Sequence, residues 1–345
     1  MSKAKTGLHS TDRLMLGIDL GTSRSVVCAS NGERAWIDSY VGYPKDFVAR
    51  KVLGAPVLFG EEALDNRLSL DLYRPLEHGV IREGSSKNEQ AIQDLARHLI
   101  SLVKPEEGQS VSVAVGVPAE SFKNNKLAIR RCIGDAADAL IVVSEPFAVA
   151  YGKNLLKDAL IIDIGGGTVD FCIMQGAMPS DDDQRTLATA GDYVDQKLLE
   201  ALKERYPKSS ITLNMARRFK EQFSFVGELE GGVQVDIPVG GKATRHDIAN
   251  EICNACESIL PAVIETAAEM ISKADPEYQD IVRRNIVLAG GGSQVRGLEA
   301  YIERELGAFG PCRVKRVDDV LYAGAEGCLA LANDMPAEYW KDVAN

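Results

Sequence analysis

No apolar run in this chain approaches the roughly 20 residues that a membrane-spanning helix needs, which argues against a transmembrane protein. The start, MSKAKTGLHSTDR, is polar and offers neither the apolar stretch of a secretory signal nor an amphipathic anchor. The P-loop pattern GxxxxGK[ST] occurs nowhere, so a P-loop nucleotidase is excluded. The dinucleotide pattern GxGxxG also fails, because Val295 stands where the last glycine of the 290–297 segment belongs. Histidine is scarce: His9, His78, His98 and His246 share no spacing, and no Ser/His/Asp or Cys/His nucleophile can be argued from them. Basic residues are outnumbered, giving a formal net charge of -11. A duplex nucleic acid would be repelled by most of such a surface. The seven cysteines are odd in number and scattered, which reads as reduced thiols in a cytoplasmic protein. Cys253 and Cys256 form a CxxC inside a helical pattern with no second pair, so packing fits them better than metal.

What is present points to a soluble protein of two domains. The 345 residues exceed one ordinary core, and 45% hydrophobic with 26% charged residues is a globular profile. One design occurs twice, in LMLGIDLGTSRSVVCAS (14–30) and ALIIDIGGGTVDFCIMQ (159–175). In each, an apolar strand ends in Asp, a Gly/Thr/Ser turn follows, and a second β-branched strand leaves. A duplicated domain is the natural reading. SVSVAVGVP (110–118) and LIVVSEP (140–146) read as buried strands, and 86–104 as a helix. A long helical pattern runs from about Thr244 to Ala274, with Thr244 and Asp247 set as a capping box and Pro261 predicting a kink or break. NIVLAGGGSQVRGLEAYI (285–302) reads as strand, glycine turn and helix. Strands alternating with helices in both halves give an α/β class.

The glycine turns carry the chemistry. Backbone N–H groups in such turns form nests for phosphate oxygens. Gly21, Thr22 and Ser23 in the first hairpin, and Gly165, Gly166, Gly167 and Thr168 in the second, are therefore candidates to grip one polyphosphate. Asp19 and Asp163 immediately precede these loops, where a carboxylate can order the water shell of Mg²⁺. For one such turn, an ordinary hairpin is as good a reading; two in matching context make that reading poor. Gly290, Gly291, Gly292 and Ser293 before a helix suit adenosine or its phosphates, although taken alone a tight strand–helix junction explains them better. Glu145 follows a strand, at the end where α/β sites gather, and can polarise a water. A surface carboxylate before a proline turn fits the same local sequence. The acidic run 181–183 reads as a solvated loop.

These motifs resemble the superfamily of actin, the heat-shock chaperone ATPases and the sugar kinases. IDLGTSRS (18–25) is similar to its first phosphate loop and DIGGGTVD (163–170) to its second. VSEPFAVAYG (143–152) resembles the first connecting segment, LAGGGSQVRG (288–297) the adenosine loop, and DDVLYAGAEGCLALA (318–332) the second connecting segment. GEEA (60–63) and RPLEHGVI (74–81) resemble the bacterial filament formers of the MreB type. VGYPKDFVARKVLG (41–54), KEQFSFVG (220–227) and MPAEYWK (335–341) resemble their MamK branch, the magnetosome actin-like proteins.

The resemblance implies an actin-like fold with ATP or ADP and Mg²⁺ in a cleft between two halves. It implies subdomain IA at 1–38, 80–151 and 318–345, IB at 39–79, IIA at 152–187 and 245–317, and IIB at 188–244. It implies that Lys220 and Glu221 contact base and ribose, that Thr168 helps orient the attacking water, and that Asp163 and Glu145 serve hydrolysis. The implied role is a cytoplasmic ATPase that polymerises with itself into a filament alongside magnetosome vesicles, partly through an acidic connector protein, without binding nucleic acid or membrane directly. A small-molecule kinase would need an acceptor base, for which only Glu145 offers itself. A chaperone ATPase would need a peptide-binding domain after the second connecting segment. A cell-shape or plasmid-segregation filament is the remaining alternative, and a membrane-bound cell-shape type would want the missing N-terminal anchor.

Overall fold

The computed structural model describes residues 13–77, 80–81, 86–119, 129–229 and 231–341. The reading of an anchorless N-terminus thus lies largely outside the described residues, as does part of the 74–81 mark. The chain divides into two compact units. The described residues of Met1–Val117, Ser121–Lys153 and Tyr322–Asn345 make the first, and those of Pro118–Glu120 and Asn154–Leu321 the second.

The first unit is built on strands β1 (Arg13–Leu20), β2 (Arg24–Ala29), β3 (Arg34–Asp38), β9 (Ser110–Val117) and β10 (Ala139–Ser144), in the order β10-β9-β1-β2-β3. Between β3 and β9 lie the short strands β4 (Val41–Pro44), β5 (Leu58–Phe59), β6 (Leu70–Tyr73), β7 (Leu76–Glu77) and β8 (Val80–Ile81). The β1–β2 and β2–β3 pairs are antiparallel, whereas β1–β9 and β9–β10 are parallel. Parallel strands covered on both faces are apolar throughout, and β9 (SVSVAVGV) is buried from Val111 to Val117. The helix Ser86–Leu102 supplies Ile92, Leu95 and Leu99 to a core shared with Leu16 and Ile18, all 0% exposed. The helix Ala323–Asp334 packs against β1 and β9. A smaller sheet, β5-β4-β6, docks on the helix Ser86–Leu102 through a Tyr43–Asp94 hydrogen bond of 2.7 Å and a Phe59–His98 ring stack at 4.1 Å.

The second unit repeats the plan with β11 (Lys157–Ile164), β12 (Val169–Gln175), β13 (Gln184–Leu187), β16 (Ile286–Ala289) and β17 (Val314–Arg316) in the order β13-β12-β11-β16-β17. Here too the central strand is antiparallel to one neighbour and parallel to the other. The duplication inferred from the two hairpins therefore extends to whole sheets. The remaining pair, β14 (Gln234–Val239) and β15 (Lys242–Asp247), forms a separate antiparallel ribbon.

That ribbon corrects the expected helix from Thr244. Residues 242–247 are strand, and helix begins only at Ala249. The expected capping box does not form: Thr244 Oγ1 contacts His246 Nε2 at 2.7 Å, while Asp247 Oδ1 accepts from the Ala249 and Val233 amides. The break near Pro261 does occur, since one helix ends at Glu257 and the next runs Leu260–Lys273 with proline in its first turn. There the missing amide costs no hydrogen bond. Ile248, Ile252, Ile259 and Val263 from both sides of the break are buried in one core, and Ile264 packs against it partly buried.

Candidate functional site

In the first unit, β1 delivers Asp19 to its end, paired in register with Val26 of β2 and Gly116 of β9. The turn that follows is held from behind. Ser39 Oγ donates to the Gly21 carbonyl at 2.7 Å, Arg74 Nε to the Thr22 carbonyl at 2.9 Å, and the Ser39 amide to the Ser23 carbonyl at 2.9 Å. In a planar trans peptide the N–H points opposite to the C=O. The amides of Thr22, Ser23 and Arg24 accordingly turn away from Ser39 and Arg74, as a phosphate nest requires.

Glu145 opens the helix Glu145–Gly152 directly after β10, as the sequence placed it, and is buried at 9% exposure. It closes on β9, where a Cβ at Gly116 would stand 3.3 Å from Glu145 Cγ and 3.4 Å from Cys328 Sγ. Asp19 approaches the same helix as Cys328, since a Cβ at Gly324 would lie 2.7 Å from Asp19 Oδ2. Burial, and then the charges of Asp19 and Glu145, push the Cys328 thiol well above its ordinary pKa, so it stays neutral between the carboxylates. Sequence reading assigned no role to Ser39, Arg74 or Cys328. Arg74 lies in the RPLEHGVI mark and Cys328 in the second connecting segment, whereas Ser39 carried no signal.

The second unit builds its loop in the same way. The N–H of Gly165 donates to the Thr168 carbonyl at 2.9 Å, closing the turn. The first amides of the helix Gly191–Arg205 tie its carbonyls back: Gly191 N–H to Gly165 O at 3.2 Å and Asp192 N–H to Gly166 O at 2.7 Å. By the same planar geometry, the amides of Gly166 and Gly167 turn away from that helix. Asp163 is 8% and Thr168 4% exposed. Gly290, at φ 72°, has room for no Cβ, because Asp163 Oδ1 and the Ile164 carbonyl stand against it. Gly292 presses likewise on Ile164, and Ser293, fully buried, donates to the Gly290 carbonyl at 2.7 Å. Asp163, the loop 165–168 and the turn 290–293 thus form one group. Gly291 lies open at the tip of that turn.

Lys220 sits on the helix Leu213–Phe223 and points at the same group: its Nζ donates to the Gly191 carbonyl at 2.8 Å and pairs with Asp195 at 2.7 Å. Glu221, next along, is exposed. Asp170, within the second motif but given no role from sequence, is 1% exposed and accepts from the Ala119 amide at 2.8 Å and Thr186 Oγ1 at 2.5 Å. Its part is structural. Among the described residues no group of three or more His, Cys, Asp or Glu side chains is able to hold a metal alone. Carboxylates standing singly beside a phosphate nest fit a hard cation that draws its other oxygens from phosphate and water, which is the habit of Mg²⁺.

Residues 13–338 match the family model for MreB/Mbl protein. The chain belongs to the MreB/Mbl family. The actin-like protein MamK of Paramagnetospirillum magneticum is 39% identical over 337 residues, covering 98% of this chain and 97% of that one. A solved MamK double helical filament has 40% identity and a TM-score of 0.92, covering 94% of this chain and 100% of its own. A non-polymerising MamK mutant bound to AMPPNP has 40% identity and a TM-score of 0.72, covering 94% and 99%. The fold is therefore the actin-like one, and the resemblance carried by segments 41–54, 60–63, 74–81, 220–227 and 335–341 to the MreB and MamK type is borne out.

Proposed function

We propose that this MreB-family chain binds ATP with Mg²⁺, hydrolyses it, and polymerises with copies of itself into a cytoplasmic filament that organises magnetosome vesicles. The observation that carries the nucleotide reading is the matched pair of Asp-led loops, each with its carbonyls tied to the scaffold and its amides turned the other way. Solved MamK relatives described as a double helical filament and as bound to AMPPNP support assembly and nucleotide use.

In this reading the loops Gly21–Ser23 and Gly165–Thr168 take the phosphates of one nucleotide, through outward amides such as those of Thr22, Ser23, Gly166 and Gly167. Asp19 and Asp163 hold the water shell of Mg²⁺, which supplies charge neutralisation on the phosphates when bound. Glu145 accepts a proton from the attacking water, and Thr168 orients that water. The turn Gly290–Ser293 faces adenosine, and Lys220 with Glu221 take base and ribose. Attachment to vesicles would come through an acidic connector protein rather than through lipid.

The deciding experiment is sedimentation of the purified chain with and without Mg-ATP, with electron microscopy of the pellet and phosphate release from the same tube. Filaments and phosphate are expected. A soluble monomer that turns over ATP only with a small acceptor would replace the filament reading with that of a kinase.

A further inference from the structure

Asp195 is fully enclosed, at 0% exposure, one turn into the helix Gly191–Arg205. A carboxylate stripped of water needs close cations to offset its lost solvation. It has two, both from the helix Leu213–Phe223: Lys220 Nζ at 2.7 Å from Oδ1 and Arg217 Nε at 2.9 Å from Oδ2. Residues three apart share one helix face, so the pair grips as a fork. Each cation also reaches further, Arg217 to Asp192 Oδ1 at 3.1 Å and Lys220 to the Gly191 carbonyl at 2.8 Å.

Gly191 and Asp192 are the residues whose amides hold the Gly165 and Gly166 carbonyls. A Cβ at Gly191 would stand 3.2 Å from Gly165 O and 3.3 Å from Lys220 Nζ, so loop, helix start and lysine are in direct contact there. Beyond its last turn the Lys220 helix runs into Ser224–Val226, where Val226 N–H donates to Arg296 O at 2.9 Å and Arg296 N–H to Ser224 O at 3.3 Å. Arg296 lies just past the turn 290–293 that packs on Asp163. The contacts therefore close a circuit around the second unit's site.

We infer that Asp195 is a positioning residue that locks the helix carrying Lys220 and Glu221 to the phosphate loop Gly165–Gly167, so that one rigid frame holds both ends of a nucleotide. The ligand is taken from the nucleotide reading above. Asp195 itself touches no phosphate; it acts through Gly191, Asp192 and the two cations. A charge that served stability alone would, when removed, loosen the unit as a whole. A lock loosens the loop first.

The test uses the full chain with Asp195→Asn, which keeps shape and removes charge. Without nucleotide, amide hydrogen exchange at Gly165, Gly191 and Asp192, whose N–H groups make the loop's hydrogen bonds, is compared with exchange in β12. With nucleotide, AMPPNP affinity and the split between KM and kcat for ATP are measured. Exchange is expected to rise at these three amides while β12 stays protected. KM is expected to rise about tenfold, the effect of roughly one lost hydrogen bond, with the smaller change in kcat. Exchange at the loop that only follows β12, or AMPPNP binding equal to the parent's, overturns the inference. Should Asp195→Asn fail to fold, Arg217→Gln decides by the same readings, since it spares the Lys220–Asp195 pair and removes the hold on Asp192. Should the parent chain bind no AMPPNP, the nucleotide reading falls, and the exchange comparison alone judges the lock.

Discussion

Glu145 and Asp163 are both buried carboxylates at strand ends, yet the proposed roles differ and so do the expected losses. Glu145 stands beside a neutral thiol, at the start of the helix after β10 rather than within a glycine loop. Glu145→Ala should therefore leave nucleotide affinity within a few fold and lower hydrolysis by roughly 10²–10⁴, the usual worth of a positioned base. Phosphate release and nucleotide titration on one preparation check this; lost binding, or normal turnover, would make Glu145 structural. Asp163→Ala should abolish hydrolysis with the circular dichroism spectrum unchanged, because the side chain packs against a glycine turn rather than into the core. Gly324→Ala is a sharper probe of Asp19. Its added methyl would meet Asp19 Oδ2 at 2.7 Å, so the carboxylate must move while the helix Ala323–Asp334 gains a better helix former. Lower turnover at unchanged thermal stability is expected, and unchanged turnover would remove Asp19 from the site.

At the scale of elements, legibility in the sequence followed the strength of the periodic signal. The hairpins of 14–30 and 159–175, the buried strands and the helix of 86–102 all declare themselves through apolar spacing. β15 did not, since Lys-Ala-Thr-Arg-His-Asp contains no apolar alternation, and it lies almost wholly exposed in a two-stranded ribbon. Its polar residues were absorbed into the helical pattern that follows. The loops' glycines and aspartates were legible as motifs, but their supports were not: Ser39 is 18 residues from Gly21, and Arg74 is 52 from Thr22. One sequence carries no record of such pairings. The docking of the small β5-β4-β6 sheet is another unannounced contact, and it is sensitive to acid. Burial lowers the pKa of His98, stacked on Phe59, below its ordinary value. The unfolded chain then binds the proton more readily, so this contribution is complete above about pH 6.5 and fades as pH falls below it. Thermal unfolding measured from about pH 7 to pH 5 should show a shallower decline in His98→Phe than in the parent. Equal slopes would assign the acid sensitivity to other groups.

For the whole molecule the dominant quantity is charge. No helix among the described residues is long and apolar enough to cross a membrane, and a chain of net charge -11 is repelled by an anionic leaflet. Purified protein should not float with liposomes of ordinary composition, and salt-resistant flotation would revive a membrane-bound cell-shape role. The same charge opposes self-association, since every added subunit brings like charge against its neighbours. At about 0.01 M ionic strength the Debye length is about 30 Å, so whole subunits repel; at about 0.15 M it is about 8 Å, and only contacting surfaces do. Assembly with Mg-ATP should therefore begin at lower protein concentration as salt rises through this range. Excess Mg²⁺ should help further by binding carboxylates. Light scattering against protein concentration at fixed Mg-ATP and stepped potassium chloride gives the threshold directly. A threshold that climbs with salt would mean that subunit contacts are themselves ion pairs, screened along with the repulsion. The self-repulsion account of assembly would then fail even if filaments form.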